Sequence, residues 1–146
     1  MPPNEDILLQ LAEGLEYIHG MNLIHRDLKP KNALIWVGSG CNSNKEKQVL
    51  MKWADFGLSK PVKDTGSFSM SDIRGTKKWF APELFEILRK GSNEKLRGTV
   101  KSDVLAEGLT FGYVLLGGKH LCGDNNMDVD ENLPKNNLVN LKRKLS

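Results

Sequence analysis

His25-Arg26-Asp27-Leu28-Lys29-Pro30-Lys31-Asn32 is the stretch on which the fold of this chain turns. It follows an apolar step, Leu23-Ile24, and gathers an acid, several cations and a terminal amide around one proline. Two more segments stand downstream in fixed order: Ala54-Asp55-Phe56-Gly57-Leu58-Ser59-Lys60, then Gly75-Thr76-Lys77-Lys78-Trp79-Phe80-Ala81-Pro82-Glu83. Asp27 or Asp55 alone would read as a turn aspartate. The three segments in order carry a much more specific signal.

Working outward, residues 4–19 read as a helix. Ile7, Leu8, Leu11, Ala12, Leu15 and Ile18 recur at three- and four-residue spacings and form one apolar stripe. Asn4 is the expected N-cap, Glu5 and Asp6 suit the first turn, and Gly20 is the expected stop. Residues 33–37 and 49–53 read as two strands flanking a polar, glycine-bearing surface insertion over 38–47. Residues 60–74 carry Pro61, Gly66 and several serines and threonines without a period, and read as loop. A short helix is expected over 82–90 with Pro82 in its first turn. From Asp103 to Leu116 apolar residues run nearly all round, which predicts a helix buried on every side. Ser102 or Asp103 is its expected cap, and Gly117-Gly118 its end. Beyond Gly123 the chain is polar, with helical hints near 136–145.

The chain has 146 residues, 39% apolar and 27% charged, which suits one soluble domain with a modest core. A net charge of +3 is too small to argue for nucleic acid. No apolar run is long enough to span a bilayer, and the start lacks a signal peptide's apolar region. Cys41 and Cys122 make neither a metal spacing nor a disulfide framework, which fits a reducing compartment. The expected location is cytoplasmic, or the cytosolic face of the endoplasmic reticulum if the chain is part of a longer sensor.

The three segments together resemble the catalytic loop, metal loop and activation-segment end of the eukaryotic protein kinases. The resemblance covers residues 4–121. It implies an α+β fold: an incomplete, mainly helical kinase C-lobe with a small β-hairpin before the metal loop. The partial kinase domain is expected over 1–123, followed by a polar, partly helical segment over 124–146. It also implies roles. Asp27 would accept the proton of the substrate hydroxyl, Lys29 would contact the transferred phosphate of ATP, and Asn32 and Asp55 would ligate Mg²⁺ bridging the phosphates. Thr76 would help orient Asp27 and Lys29, and Trp79 would shape the peptide-binding floor or simply serve as core. Lys29 resembles the residue of serine/threonine kinases at that place, so protein hydroxyls are the implied substrates. Arg26 would dock a phosphorylated activation loop, with Ser67, Ser69 and Ser71 as the candidate sites. Asp103 resembles the aspartate that holds the catalytic-loop backbone.

Softer features narrow the resemblance. The insertion before the metal loop, Ser67-Phe68-Ser69, and Phe111-Gly112-Tyr113-Val114 ahead of Gly117-Gly118-Lys119-His120 are similar to the inositol-requiring kinase/endoribonuclease group of the unfolded protein response and to ribonuclease L. No nuclease residue can be assigned. The chain shows no glycine-rich phosphate loop or strand lysine, and His120-Leu121-Cys122-Gly123 departs from the usual kinase pattern. An exposed apolar face is expected where the other lobe would sit, and Glu83 would be costly if buried alone. Two readings follow: a fragment of an ATP-dependent serine/threonine kinase, silent by itself, or a non-catalytic module that binds and regulates a full-length kinase or dimer partner.

Overall fold

A computed structural model describes residues 3–39, 47–57, 59–61, 77–85 and 99–146. The fold is α+β and mainly helical, with two small antiparallel sheets. Helix α1 (Asn4–Gly20) buries Ile7, Leu11, Leu15 and Ile18, the stripe its periodicity predicts. Its N-cap is Pro3 rather than Asn4, with no side-chain cap; the Asp6 and Ile7 amides donate to the Pro3 carbonyl instead. Strand β1 (Leu23–Ile24) follows at once.

Strands β2 (Ala33–Ser39) and β3 (Lys47–Trp53) pair in a hairpin, with Ala33 opposite Trp53 and Val37 opposite Val49. Both run further into the insertion than the sequence suggested, and residues 40–46 lie outside the described ones. The hairpin is bolted to α1 by polar contacts. Trp53 Nε1 donates to the Leu11 carbonyl at 3.0 Å, and the Met51 amide to Gln10 Oε1 at 2.7 Å. Strand β4 (Lys60–Pro61) pairs with β1, so part of the segment read as loop is ordered as strand and brings the chain after the metal loop back beside the catalytic loop.

Helix α2 (Val100–Leu115) is capped by Thr99, whose side chain accepts from the Ser102 amide while Ser102 answers the Thr99 amide. The cap therefore lies just before the residues expected. The expectation of burial on every side also fails. Val104 is 53% and Leu115 49% exposed, whereas Ser102, Asp103, Ala106, Glu107, Thr110 and Gly112 are buried. Small and polar residues face inward because close neighbours need them there. At Gly112 an added Cβ would lie 2.4 Å from the Leu121 side chain. Gly117 and Gly118 end the helix with φ of +64° and +93°, a conformation glycine adopts without penalty.

Two apolar clusters flank α2. One joins Ile7, Leu11, Leu15, Ile18, Leu28 and Trp53 to Ala106. The other joins Trp79, Phe80, Leu84 and Phe85 to Leu109, Leu121, Val129 and Leu133. Residues 82–85 are helical, and the rest of the expected 82–90 helix lies outside the described residues. Glu83 is exposed, so it carries no burial cost. In the polar C-terminal stretch, α3 (Asn126–Asn132) and α4 (Val139–Leu145) close the second cluster, α3 through Val129 with Leu133 just after it, and α4 through the partly buried Leu141. No described helix is long and apolar enough to cross a membrane.

Candidate active site

The catalytic loop hangs from the first turn of α2. Asp103, 2% exposed, accepts from the His25 amide at 2.8 Å and the Arg26 amide at 2.9 Å, one on each carboxylate oxygen. His19 Nε2 lies 2.9 Å from the same carboxylate. Arg26 has φ of +73°, a left-handed conformation that a long side chain rarely adopts. Two charge-assisted bonds to adjacent amides offset that strain. Asp103 thus supports the loop backbone, as its resemblance implied.

His25 is fully buried and ties two loops together. The Asp27 amide donates to its Nδ1 at 3.2 Å, so Nε2 carries the hydrogen and donates to the Ala54 carbonyl at 2.9 Å. Its ring meets Phe56 at 4.9 Å between centroids. The Ala54 amide in turn donates to the Asn32 carbonyl at 2.8 Å, and Ser59 Oγ to the His25 carbonyl at 3.3 Å. Asp55 therefore stands next to a residue bonded to both ends of the catalytic loop.

Within that loop Asp27, Lys29 and Asn32 are brought together. Asn32 Nδ2 donates to the Asp27 carbonyl at 2.7 Å and to Asp27 Oδ2 at 3.1 Å. Lys29 Nζ lies 3.4 Å from Asp27 Oδ1. That Oδ1 is buried and accepts no hydrogen bond. A buried acceptor oxygen with no hydrogen bond, beside an ammonium group 3.4 Å away, has a lone pair able to receive a hydroxyl hydrogen. Because Asn32 spends its nitrogen on Asp27, its amide oxygen is the atom left for a cation.

Asp55 is exposed, with φ of +60° and the Gly57 amide 3.4 Å from Oδ1. No group of three or more His, Cys, Asp or Glu side chains able to hold a metal occurs among the described residues. A carboxylate and an amide oxygen with open positions is nevertheless a donor set that fits Mg²⁺, which is commonly shared with phosphate oxygens.

Sequence reading missed a second clamp. His120 Nδ1 accepts from the Cys122 amide at 3.0 Å, so its Nε2 donates to the Lys78 carbonyl at 2.8 Å. Burial holds its pKa below the usual histidine value; the bond to the Lys78 carbonyl works against that shift, while the Lys78 charge adds to it. Trp79 stacks beside the ring at 4.7 Å and meets Tyr113 edge-on at 5.7 Å. Trp79 is a core side chain at 6% exposure that also lines a surface pocket. Asn140 on α4 locks the turn by donating to the His120 carbonyl at 2.9 Å. No local pattern marks a contact between residues so far apart in sequence. Thr76, Ser67, Ser69 and Ser71 lie outside the described residues.

Two buried groups near these clamps carry perturbed protons. Glu107 is pushed up from 4.5 to about 7, first by burial; the indole N–H of Trp53 opposes this and the Asp103 charge adds to it. That indole also donates to the Leu11 carbonyl at 3.0 Å, and Glu107 Oε1 has no hydrogen-bond partner. The Cys122 thiol is pushed up to about 11 by burial and is inert at neutral pH.

Comparison with known proteins agrees with the geometry. The protein kinase domain model matches residues 3–145. The chain is 41% identical over 122 residues to the human serine/threonine-protein kinase/endoribonuclease IRE2, covering 82% of this chain and 12% of that protein. It is 34% identical over 155 residues to the sensor for unfolded proteins in the ER ire1 of Schizosaccharomyces pombe, covering 93% of this chain and 14% of that protein. A receptor protein kinase of rice, WSS1, is 36% identical over 128 residues, 86% of this chain and 12% of that protein. The chain thus spans a small part of the length of each relative. A catalytic loop suspended from a buried helix aspartate, the ordered motifs and the match over nearly all its length lead to one conclusion: the chain belongs to the protein kinase domain family.

Proposed function

We propose that this chain carries the catalytic half of a serine/threonine protein kinase site, of the kind found in unfolded-protein sensors. The observation that carries the reading is the direct joining of Asp27, Lys29 and Asn32, with Asn32 tied to the residue before Asp55. In the reaction, a substrate hydroxyl oxygen bonds to the γ-phosphorus of ATP while the bond from phosphorus to the β–γ bridging oxygen breaks, releasing ADP. The hydroxyl proton goes to Asp27 Oδ1. Lys29 holds the phosphoryl oxygens, and Asn32 and Asp55 are the residues to hold Mg²⁺, which neutralises phosphate charge. Arg26 is the proposed dock for a loop phosphorylated at Ser67, Ser69 or Ser71, and Thr76 the proposed orienter of Asp27.

Asp27→Asn is the test. In the protein as expressed, transfer to serine peptides should fall by ~10³ or more while nucleotide affinity stays within about twofold. A small loss of rate rejects the role of Asp27. A second reading is a silent module that binds a full-length kinase. It is favoured by the exposure of Leu34, Ile35, Trp36, Val37 and Phe56 on the hairpin and metal loop. Titration with ATP and Mg²⁺ bears on both: saturable binding supports a self-sufficient kinase site, and its absence fits the module or a silent fragment.

A further inference from the structure

Next to the catalytic loop lies a pocket lined by Lys29, Pro30, Lys31, Lys78, Trp79 and Tyr113. Three of its walls are ammonium side chains; the others are a proline and two aromatics. No carboxylate lines it among the described residues. Lys29 links it to the reaction, because its Nζ is also 3.4 Å from Asp27. Lys77 is engaged elsewhere, with Asp130 at 3.1 Å. Lys31 is exposed and Lys78 half-buried, and neither pairs with a carboxylate among the described residues. The Lys78 ammonium stands 6.0 Å from the Trp79 ring, and the Lys78 backbone is fixed by His120. This is a positive, partly apolar socket on a rigid floor, adjoining the atom that takes the substrate proton.

Resting on the kinase reading, we propose that this pocket binds a carboxylate side chain of the substrate close in sequence to the phosphorylated hydroxyl, which makes the site selective for acidic peptides. A carboxylate there neutralises clustered ammonium charge beside low-dielectric aromatic walls, where charge-assisted bonds are stronger than on an open surface. A nucleic-acid phosphate fits the charge but not the place, since Lys29 joins the pocket to the base that activates a hydroxyl.

The test uses labelled peptides with one serine flanked by aspartate and glutamate, by alanine, or by lysine, and reads anisotropy with the protein as expressed. The acidic peptide should bind about tenfold more tightly than the alanine peptide. Lys31→Glu with Lys78→Glu should reduce that preference to within about twofold, and Lys31→Gln with Lys78→Gln should do so in part. Lys142→Glu with Lys144→Glu, an equal charge change outside the pocket, should leave it intact. Equal binding of all peptides, survival of the preference in the Lys31/Lys78 variants, or its loss in the Lys142/Lys144 variant overturns the proposal. So does displacement of the acidic peptide by a single-stranded RNA oligomer at equal concentration. Adding ATP and Mg²⁺ separates the two claims. Transfer without acid preference overturns the pocket alone, and acid-selective binding together with transfer that survives Asp27→Asn overturns the kinase reading alone.

Discussion

His25 and His120 do the same job in two regions of the molecule. Each accepts at Nδ1 from the amide two residues on, and each donates from Nε2 to a carbonyl far away in sequence: Ala54 for one, Lys78 for the other. Each lays its ring against an aromatic near that carbonyl, Phe56 at 4.9 Å and Trp79 at 4.7 Å. The difference is what lies beyond the clamp. Past Lys78 come Trp79, Phe80, Ala81, Leu84 and Phe85, all buried in the second cluster. Past Ala54 come Asp55 and Phe56, both exposed. The segment after Lys78 is part of the core, and its histidine bond adds to that burial. The segment after Ala54 is held by hydrogen bonds instead: from His25 Nε2 to the Ala54 carbonyl, from the Ala54 amide to the Asn32 carbonyl, and from Ser59 Oγ to the His25 carbonyl. A segment whose side chains are buried is held by packing, and one whose side chains are exposed is held by tethers.

The most damaging way to break this arrangement is from beneath. Asp103→Ala strips the acceptor from the His25 and Arg26 amides and the partner from His19. Removing a buried, multiply bonded carboxylate should cost about 3–5 kcal/mol. Chemical denaturation would check it, and Asp103→Asn should recover part of the loss. An effect below about 1 kcal/mol would mean that the catalytic loop is held by something other than α2.

Next comes Glu107, which sits on the Asp103 side of α2. Its pKa is raised from 4.5 to about 7 in the folded chain, mainly by burial. The unfolded chain therefore releases this proton at lower pH than the folded one. Stability from this group is fully present below pH ~4.5, falls as pH rises, and is lost by pH ~7, a change on the order of 3 kcal/mol. Glu107→Gln should flatten that limb and raise the melting temperature at pH 8. A limb of unchanged slope in the variant would assign the titration elsewhere.

How far this was legible follows the same division. The catalytic and metal loops were readable because their chemistry is spelled by neighbours: Asp27, Lys29 and Asn32 meet within one turn of chain. Helix α1 was readable from its stripe. Helix α2 was misjudged because apolar content stood in for burial. Its inward face carries one large apolar residue, Leu109, among Ser102, Asp103, Ala106, Glu107, Thr110 and Gly112, which are small or polar. Thr110, for instance, satisfies its hydroxyl on the Ala106 carbonyl at 3.0 Å. Helix α3 was hidden because only Val129 and Leu133 anchor a polar stretch. The His120 clamp joins distant positions, and no periodicity encodes that.

His25→Phe and His120→Phe put the comparison itself to the test. Both keep a ring and both remove one donated and one accepted bond, so each should cost about 1–3 kcal/mol. Amide hydrogen exchange should separate them. The His25 variant should lose protection over 53–57, and the His120 variant should keep it over 79–85, where burial does the holding. Equal losses in both places would refute the contrast between tether and core.

The smallest effect is on pH, and it has the opposite sign to that of Glu107. Burial depresses the His120 pKa, so the unfolded chain binds this proton first. Its contribution is present above pH ~6.5 and is lost as pH falls through the lower folded value. Protonation puts a hydrogen on Nδ1, where the Cys122 amide now donates, and so opposes the clamp. His120→Phe should therefore cost less at pH 5 than at pH 8, because the wild type has already lost part of what the substitution removes. Glu107→Gln should help more at pH 8 than at pH 5. Measured together, the two variants assign the acid limb of the stability profile to the His120 clamp and the alkaline limb to the helix beneath the catalytic loop. A double variant whose profile still falls at both ends would show that neither clamp region sets it.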